Sequence, residues 1–156
     1  MNNYSKHIFL TLCLLASSLH ASNYDDFRRQ GCIVDLDQAF YAATPQPSSI
    51  DVFFNELTSN PTLVEFYQPG CPPCEALSAV LNNVASFLTA NNIRLLIVKV
   101  NVRAHPEFIN RYASYGKHYK IERTPKMMLF INGGPTNPLD GLTSFDKIIT
   151  LINKHL

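Results

Sequence analysis

Leu63-Val64-Glu65-Phe66-Tyr67-Gln68-Pro69-Gly70-Cys71-Pro72-Pro73-Cys74 is the stretch on which the reading of this chain turns. Residues 63–67 are nearly continuous in apolar character, as in a central strand covered on both faces. Gln68-Pro69-Gly70 turns the chain, and beyond the second cysteine apolar residues recur at Leu77, Val80, Leu81, Val84, Phe87 and Leu88, one face of a helix. The two thiols therefore stand where a strand hands over to a helix. A thiolate attacks a disulfide sulfur, so redox exchange needs one exposed, acidified cysteine and a second close enough to resolve the mixed disulfide. With the helix beginning at the motif, Cys71 falls at or beside its N-cap, where unpaired N–H groups and the positive end of the helix dipole favour a thiolate. Cys71 is the predicted nucleophile, and Cys74, one turn further in and on the same face, the more buried resolving thiol. Pro72 suits the first helical turn, where its missing N–H has no partner to lose, and Pro73 stiffens the same turn. A structural disulfide and half of a zinc site are the other readings of the spacing. Zinc wants a second Cys or His pair at short spacing, which the sequence lacks.

Working outward, residues 32–36 read as a short strand, and the Pro- and Ser-rich stretch 44–49 breaks structure before a helix capped by Ser48 or Ser49 and carrying Val52, Phe53 and Leu57. Asn60-Pro61 ends that helix. Downstream, Asn91-Asn92 stops the long helix and residues 93–102 read as a second buried strand. Residues 106–115 look helical, with Phe108, Ile109 and Tyr112 on one side, until Gly116 interrupts. Residues 127–131 form a third strand, and Asn132-Gly133-Gly134 turns toward a weaker fourth at 138–142. Thr143 or Ser144 caps a last helix through Phe145, Ile148, Ile149 and Ile152. The order strand, helix, strand, helix, strand, strand, helix after residue 62 predicts one α/β layer structure with no repeat or linker.

The first residues read as an export signal: Lys6 and His7, the apolar run 8–15, then small residues Ser17, Ser18 and Ala21. The run is too short to span a bilayer. The expected division is a signal peptide over 1–21 and one domain over 22–156, exported to a periplasm or secreted, and soluble after cleavage, with anchoring by a lipid or an uncleaved segment as the alternative. Residues 23–30 are polar and read as a frayed or helical lead-in. Cys13 leaves with the signal, so the mature part keeps Cys32, Cys71 and Cys74. Cys32 is read as a buried inert thiol, with a bond to another chain or a regulatory role as alternatives. The 13 basic and 12 acidic residues leave a formal charge of +1. Once Lys6 is removed the balance is neutral, which argues against a nucleic-acid-binding surface.

At this point the chain resembles the thioredoxin superfamily over most of its mature part. The apolar strand, acid, aromatic and CxxC of residues 63–74 are similar to the family signature, and so is Tyr119-Lys120-Ile121-Glu122-Arg123-Thr124-Pro125-Lys126-Met127-Met128-Leu129-Phe130-Ile131-Asn132-Gly133, a stretch with a proline, a strand and an Asn-Gly turn. The resemblance implies a central mixed β-sheet flanked by helices on both faces. It implies that Pro125 is cis and lies opposite the CxxC, that Thr124 pairs with substrate backbone, and that Gly70, Pro72 and Pro73 face the substrate. Glu65 matches the buried acid that moves the proton of the resolving cysteine. Its alternative reading is a structural acid paired with a lysine. The chain departs from the family pattern at Gly70, where an aromatic residue is common, at Glu75, where a basic one is frequent, in its double proline, and in a longer segment between Val102 and Pro125. That segment holds Tyr112, Tyr115, His118 and Tyr119, read as core filling or as part of a partner surface.

The function expected from these features is an exported thiol–disulfide oxidoreductase, with a mixed disulfide formed at Cys71 and resolved by Cys74. The expected partners are protein thiols and disulfides and a membrane redox partner for recycling, with the protein a monomer and no cofactor or metal required. The direction of electron flow stays open. The rival reading is a non-catalytic binding module or copper carrier, to which His105, His118 or His155 would add a ligand.

Overall fold

The structure, a computed structural model, describes residues 33–43 and 47–156. The expected leader over 1–21, the lead-in over 23–30, Cys13 and Cys32 all lie outside the described residues. The elements run β1 (Ile33–Asp35), α1 (Leu36–Ala42), α2 (Ile50–Thr58), β2 (Thr62–Tyr67), α3 (Pro72–Ala90), β3 (Leu96–Asn101), α4 (Phe108–Arg111), β4 (Lys126–Ile131), β5 (Gly134–Pro135), β6 (Leu139–Asp140) and α5 (Phe145–His155), with 3₁₀ turns at Ala113–Tyr115 and Lys117–Tyr119. Strand order is β1-β3-β2-β4-β5, and β6 also pairs with β4. The β1, β3 and β2 pairs are parallel, whereas β4 runs antiparallel to β2. The expected mixed sheet is present.

Strand alternation sends Leu63 and Glu65 to one face and Val64 and Phe66 to the other, and the two faces bury different side chains. Leu63, Ile97 and Leu129 pack under Leu77, Leu81, Val84 and Leu88 of α3 and Ile148 and Ile152 of α5. The opposite face is aromatic, with Phe53 and Phe54 of α2 and Phe108 of α4 against Phe66 and Phe130. Each such side chain contributes roughly 1.5–3 kcal/mol by leaving water, so the two layers together fix the sheet on which the cysteine-bearing helix is seated.

Several boundaries follow the chemistry expected of them. Ser49 caps α2 by accepting from the Val52 N–H, and Ser144 caps α5 by accepting from that of Lys147. At the end of α3, Asn92 enters the left-handed region at φ 54. There the Asn92 and Ile93 N–H groups close on the Thr89 and Leu88 carbonyls, which uses up residue 93 and starts β3 three residues later than its apolar run suggests. Asn132 and Gly133, both at positive φ, turn β4 into β5.

Other expectations are corrected. The first strand stops at Asp35, whose carboxylate accepts from the Asp37 and Gln38 N–H groups and so opens α1 at Leu36. Residues 106–115 are not one helix: after Arg111 the bonds shorten to three-residue spacing, Tyr115 N–H to the Tyr112 carbonyl and Gly116 N–H to that of Ala113. The fourth strand is only Leu139–Asp140, and it shares β4 with Gly134–Pro135, which begins within the Asn132-Gly133-Gly134 turn. The aromatic patch divides: Tyr112 is buried in the core, whereas Tyr115 is exposed and stacks toward Tyr119.

Candidate active site

Gly70, at φ +70, makes the turn between β2 and α3, a conformation glycine adopts without penalty. Cys71 is the N-cap of α3, with Pro72 and Pro73 at the first two helical positions. Its carbonyl accepts from the Cys74 and Glu75 N–H groups at 2.9 and 3.1 Å. Cys71 and Cys74 are joined in a disulfide with their Cα atoms 5.3 Å apart. An N-cap side chain ordinarily accepts from the N–H of the second or third helical residue. Here Pro73 has none and that of Cys74 is already engaged, and the Cys71 side chain receives no capping bond. The helix end thus offers its dipole but few donors, a correction to the expectation of free N–H groups beside the thiol.

Across the cleft the Thr124–Pro125 peptide is cis, as the resemblance implied. Thr124 meets the first cysteine twice, its carbonyl oxygen 3.7 Å and its hydroxyl 3.6 Å from Cys71 Sγ. The disulfide and the proline loop are therefore brought together from positions 53 residues apart. The expected contrast in exposure is absent: Cys71 is 6% and Cys74 4% accessible. What separates them is their surroundings, the first against Thr124, the second on the helix face that covers the sheet. Pro72 and Pro73 are exposed, and a side chain at Gly70 would meet no atom within 4 Å. The mouth of the site is open where an aromatic residue was lacking in sequence.

Beneath α3 lies Glu65, 0% exposed. Sheet register places it beside Lys99 of β3, whose Nζ stands 3.3 Å from Oε2. The contact is an ion-pair distance without hydrogen-bond geometry, and neither carboxyl oxygen has a hydrogen-bond partner. Burial raises the Glu65 carboxyl above the ordinary carboxylate range, with the nearby ammonium pulling the other way. Desolvating an ion costs several kcal/mol unless it is both paired and hydrogen-bonded, so the upward direction fits the missing bonds. Both readings of this acid meet here, a buried carboxyl of raised pKa and a lysine beside it.

Lys99 is the centre of a wider cluster. Its Nζ donates to Ser78 Oγ at 2.9 Å and lies 4.8 Å from the centroid of the Tyr67 ring, while the Tyr67 hydroxyl donates to Asp35 at 2.9 Å. Burial and the neighbouring Asp35 hold the Tyr67 phenol above its usual range. The Ser78 hydroxyl in turn donates to the Cys74 carbonyl at 3.2 Å. On the other side of the cleft, Lys126 directly follows the proline and is 4% exposed. It donates to the Lys120 carbonyl at 2.9 Å and pairs with Asp140 at 2.8 Å, and the Gly141 N–H donates to the Pro125 carbonyl at 2.8 Å. These bonds tie both flanks of the Thr124 loop to the sheet. Lys99, Ser78, Lys126 and Asp140 were not singled out from sequence. The available signal was a single charge in an apolar run, at Lys99 within 95–102 and at Lys126 opening 126–131.

The histidines considered as copper ligands lie elsewhere in the network. The His105 ring nitrogens face Asp37 at 2.5 Å and Glu107 at 3.2 Å, and the His118 ring stacks on Tyr119. His155 ends α5, its Nε2 buried without a hydrogen-bond partner. Among the described residues no three His, Cys, Asp or Glu side chains gather as a metal-ligand set.

Comparison with known proteins agrees with this architecture. A family model described as thioredoxin matches residues 46–154. A protein disulfide isomerase-like 5-2 of Oryza sativa subsp. japonica is 29% identical over 132 residues, covering 85% of this chain and 27% of its own. This chain thus spans about a quarter of that relative. A thioredoxin of Griffithsia pacifica is 29% identical over 110 residues, covering 69% of this chain and 92% of its own. The crystal structure of a thioredoxin from Nicotiana alata superposes with a TM-score of 0.58 at 17% identity, over 79% of this chain and 91% of that one, a likeness of fold. With the match to the family model spanning well over half the sequence, and a mixed sheet that sets a disulfide against a cis-proline, this chain belongs to the thioredoxin family.

Proposed function

We propose that the protein is a thiol–disulfide oxidoreductase that exchanges disulfides with protein substrates through Cys71 and Cys74. The observation that carries this reading is the Cys71–Cys74 disulfide at the start of α3, facing the Thr124 backbone at 3.7 Å. In the reducing direction, the Cys71 thiolate attacks a substrate disulfide, forming a mixed disulfide and expelling one substrate sulfur as thiolate. Cys74 then gives its proton to the Glu65 carboxylate and attacks Cys71 Sγ. The second substrate sulfur leaves, the substrate has gained two electrons, and the Cys71–Cys74 bond closes. Thr124 holds substrate backbone, with Gly70, Pro72 and Pro73 at the mouth.

The reducing direction is supported by the first turn of α3. A dithiol is a strong oxidant when its reduced thiolate is well stabilised. Here two prolines remove N–H donors and Glu75 adds negative charge in the same turn. The leader reading of residues 1–21 supports export to a periplasm or beyond, where a membrane redox partner would return electrons to the monomeric protein. Insulin reduction with dithiothreitol as electron source tests the reading: Cys71→Ser is expected to abolish it, and Cys74→Ala to accumulate mixed disulfides with substrate. Full activity in Cys71→Ser would refute the assignment, and a potential near −120 mV, that of strong oxidants, would reverse the direction.

A further inference from the structure

The buried pair under the thiols is incomplete in a specific way. Lys99 stands 3.3 Å from Glu65, yet the carboxyl oxygens make no hydrogen bond. One of the three ammonium protons goes to Ser78 Oγ at 2.9 Å, which fixes where the Nζ sits. Ser78 can accept it because its own hydroxyl hydrogen goes to the Cys74 carbonyl one turn back, leaving its lone pairs toward the sheet. The Tyr67 ring, 4.8 Å away, offers the cation a second attraction.

The geometry points to Ser78 as a positioning residue that steers the Lys99 ammonium off the hydrogen-bonding approach to Glu65. The inference rests on the proposed role of Glu65 for its functional meaning, but not for its test. An ammonium free to bond a carboxylate favours the ionised form strongly, while one at a similar distance without the bond favours it less. Burial raises the Glu65 carboxyl and Lys99 opposes it, so the approach of the ammonium sets how far the carboxyl is lifted. The other groups around the carboxyl leave Lys99 as its partner. Asp35 on β1 is engaged by the Tyr67 hydroxyl and the α1 N-terminus. Cys74 on α3 is in the disulfide, the β4 neighbour is Met127, and α5 brings Ile148, Leu151 and Ile152 to this face.

The test is ¹³C-NMR titration of the Glu65 carboxyl in the oxidised, full-chain protein. Ser78→Ala, a favourable change for a helix, is expected to lower the midpoint by about one pH unit as Lys99 turns to the carboxylate. Ser78→Thr, which keeps the hydroxyl, is expected to titrate as the wild type does. In a Lys99→Met background, Ser78→Ala is expected to shift nothing. An unchanged or raised midpoint in Ser78→Ala overturns the inference, and so does an equal drop without Lys99. The pH profile of mixed-disulfide resolution provides the separate readout. A carboxyl midpoint that moves while that profile stays fixed upholds the steering by Ser78 and refutes Glu65 as the proton carrier.

Discussion

Two half-buried ion pairs flank the cleft, and they are built in opposite senses. At Glu65–Lys99 the acid is 0% exposed and the lysine 21%, and the acid has no hydrogen bond. At Lys126–Asp140 the lysine is 4% exposed and the acid 62%, and the lysine pairs with the carboxylate and also donates a hydrogen bond to a carbonyl. A satisfied buried charge holds its surroundings in one arrangement. An unsatisfied one is a group whose charge state is easily changed. The difference matches position, since Lys126 sits beside the Thr124 loop and Glu65 lies where the proposed mechanism moves a proton.

The comparison breaks first at its structural member. Lys126→Ala leaves the Lys120 carbonyl without its donor and removes a buried stem, and is expected to cost about 2–4 kcal/mol in denaturant unfolding. A loss near zero would mean that the lysine holds nothing. Glu65→Gln should act in the other direction. A carboxyl whose pKa is raised on folding binds protons more tightly in the native state, so its contribution is fully present below its unfolded pKa and is lost as pH rises through the folded one. The variant is therefore expected to be more stable than wild type at alkaline pH, to show no such gain in acid, and to resolve mixed disulfides more slowly. Unfolding curves across pH check the first part, and a gain independent of pH would remove titration from the account.

Pro73→Ala restores an N–H at the second position of α3. The reduced protein is expected to react with iodoacetamide at neutral pH about two- to fivefold faster at Cys71, the equivalent of roughly 0.3–1 kcal/mol of terminal stabilisation. Unchanged reactivity would show that the missing donor is not what the thiolate lacks. The smallest effect belongs to the exposed half of the second pair. Asp140→Asn should cost under about 1 kcal/mol, because water substitutes for a carboxylate that is mostly solvated. A cost equal to that of Lys126→Ala would make the pair a single unit and end the contrast drawn between its halves.

Legibility in the sequence followed burial and local chemistry. Residues 63–67 and the periodic face of α3 could be read because burial dictates every position. The Asn132-Gly133 turn and the Ser49 and Ser144 caps could be read because their bonds span only a few residues. Helix α1 was missed because Asp35 looks like the end of a strand until its carboxylate is seen to cap two N–H groups. The site divides in the same way. Cys71 and Cys74 announce themselves by spacing, and Glu65, Thr124 and Pro125 came through family resemblance. Lys99 and Ser78 join Glu65 only through sheet register and the seating of α3, neither of which a local pattern encodes.

The margins of the sheet have a consequence of their own. On one side the described edge is β1, three residues long and leading straight into a helix. On the other, β4 is covered by two two-residue pieces, the first containing Pro135, which has no N–H to offer. Short, interrupted edges give a neighbouring chain little backbone to zip onto. If its substrates are proteins held in extended form, as the proposed function has it, such edges let it meet many unpaired strands in succession without being recruited into their aggregates.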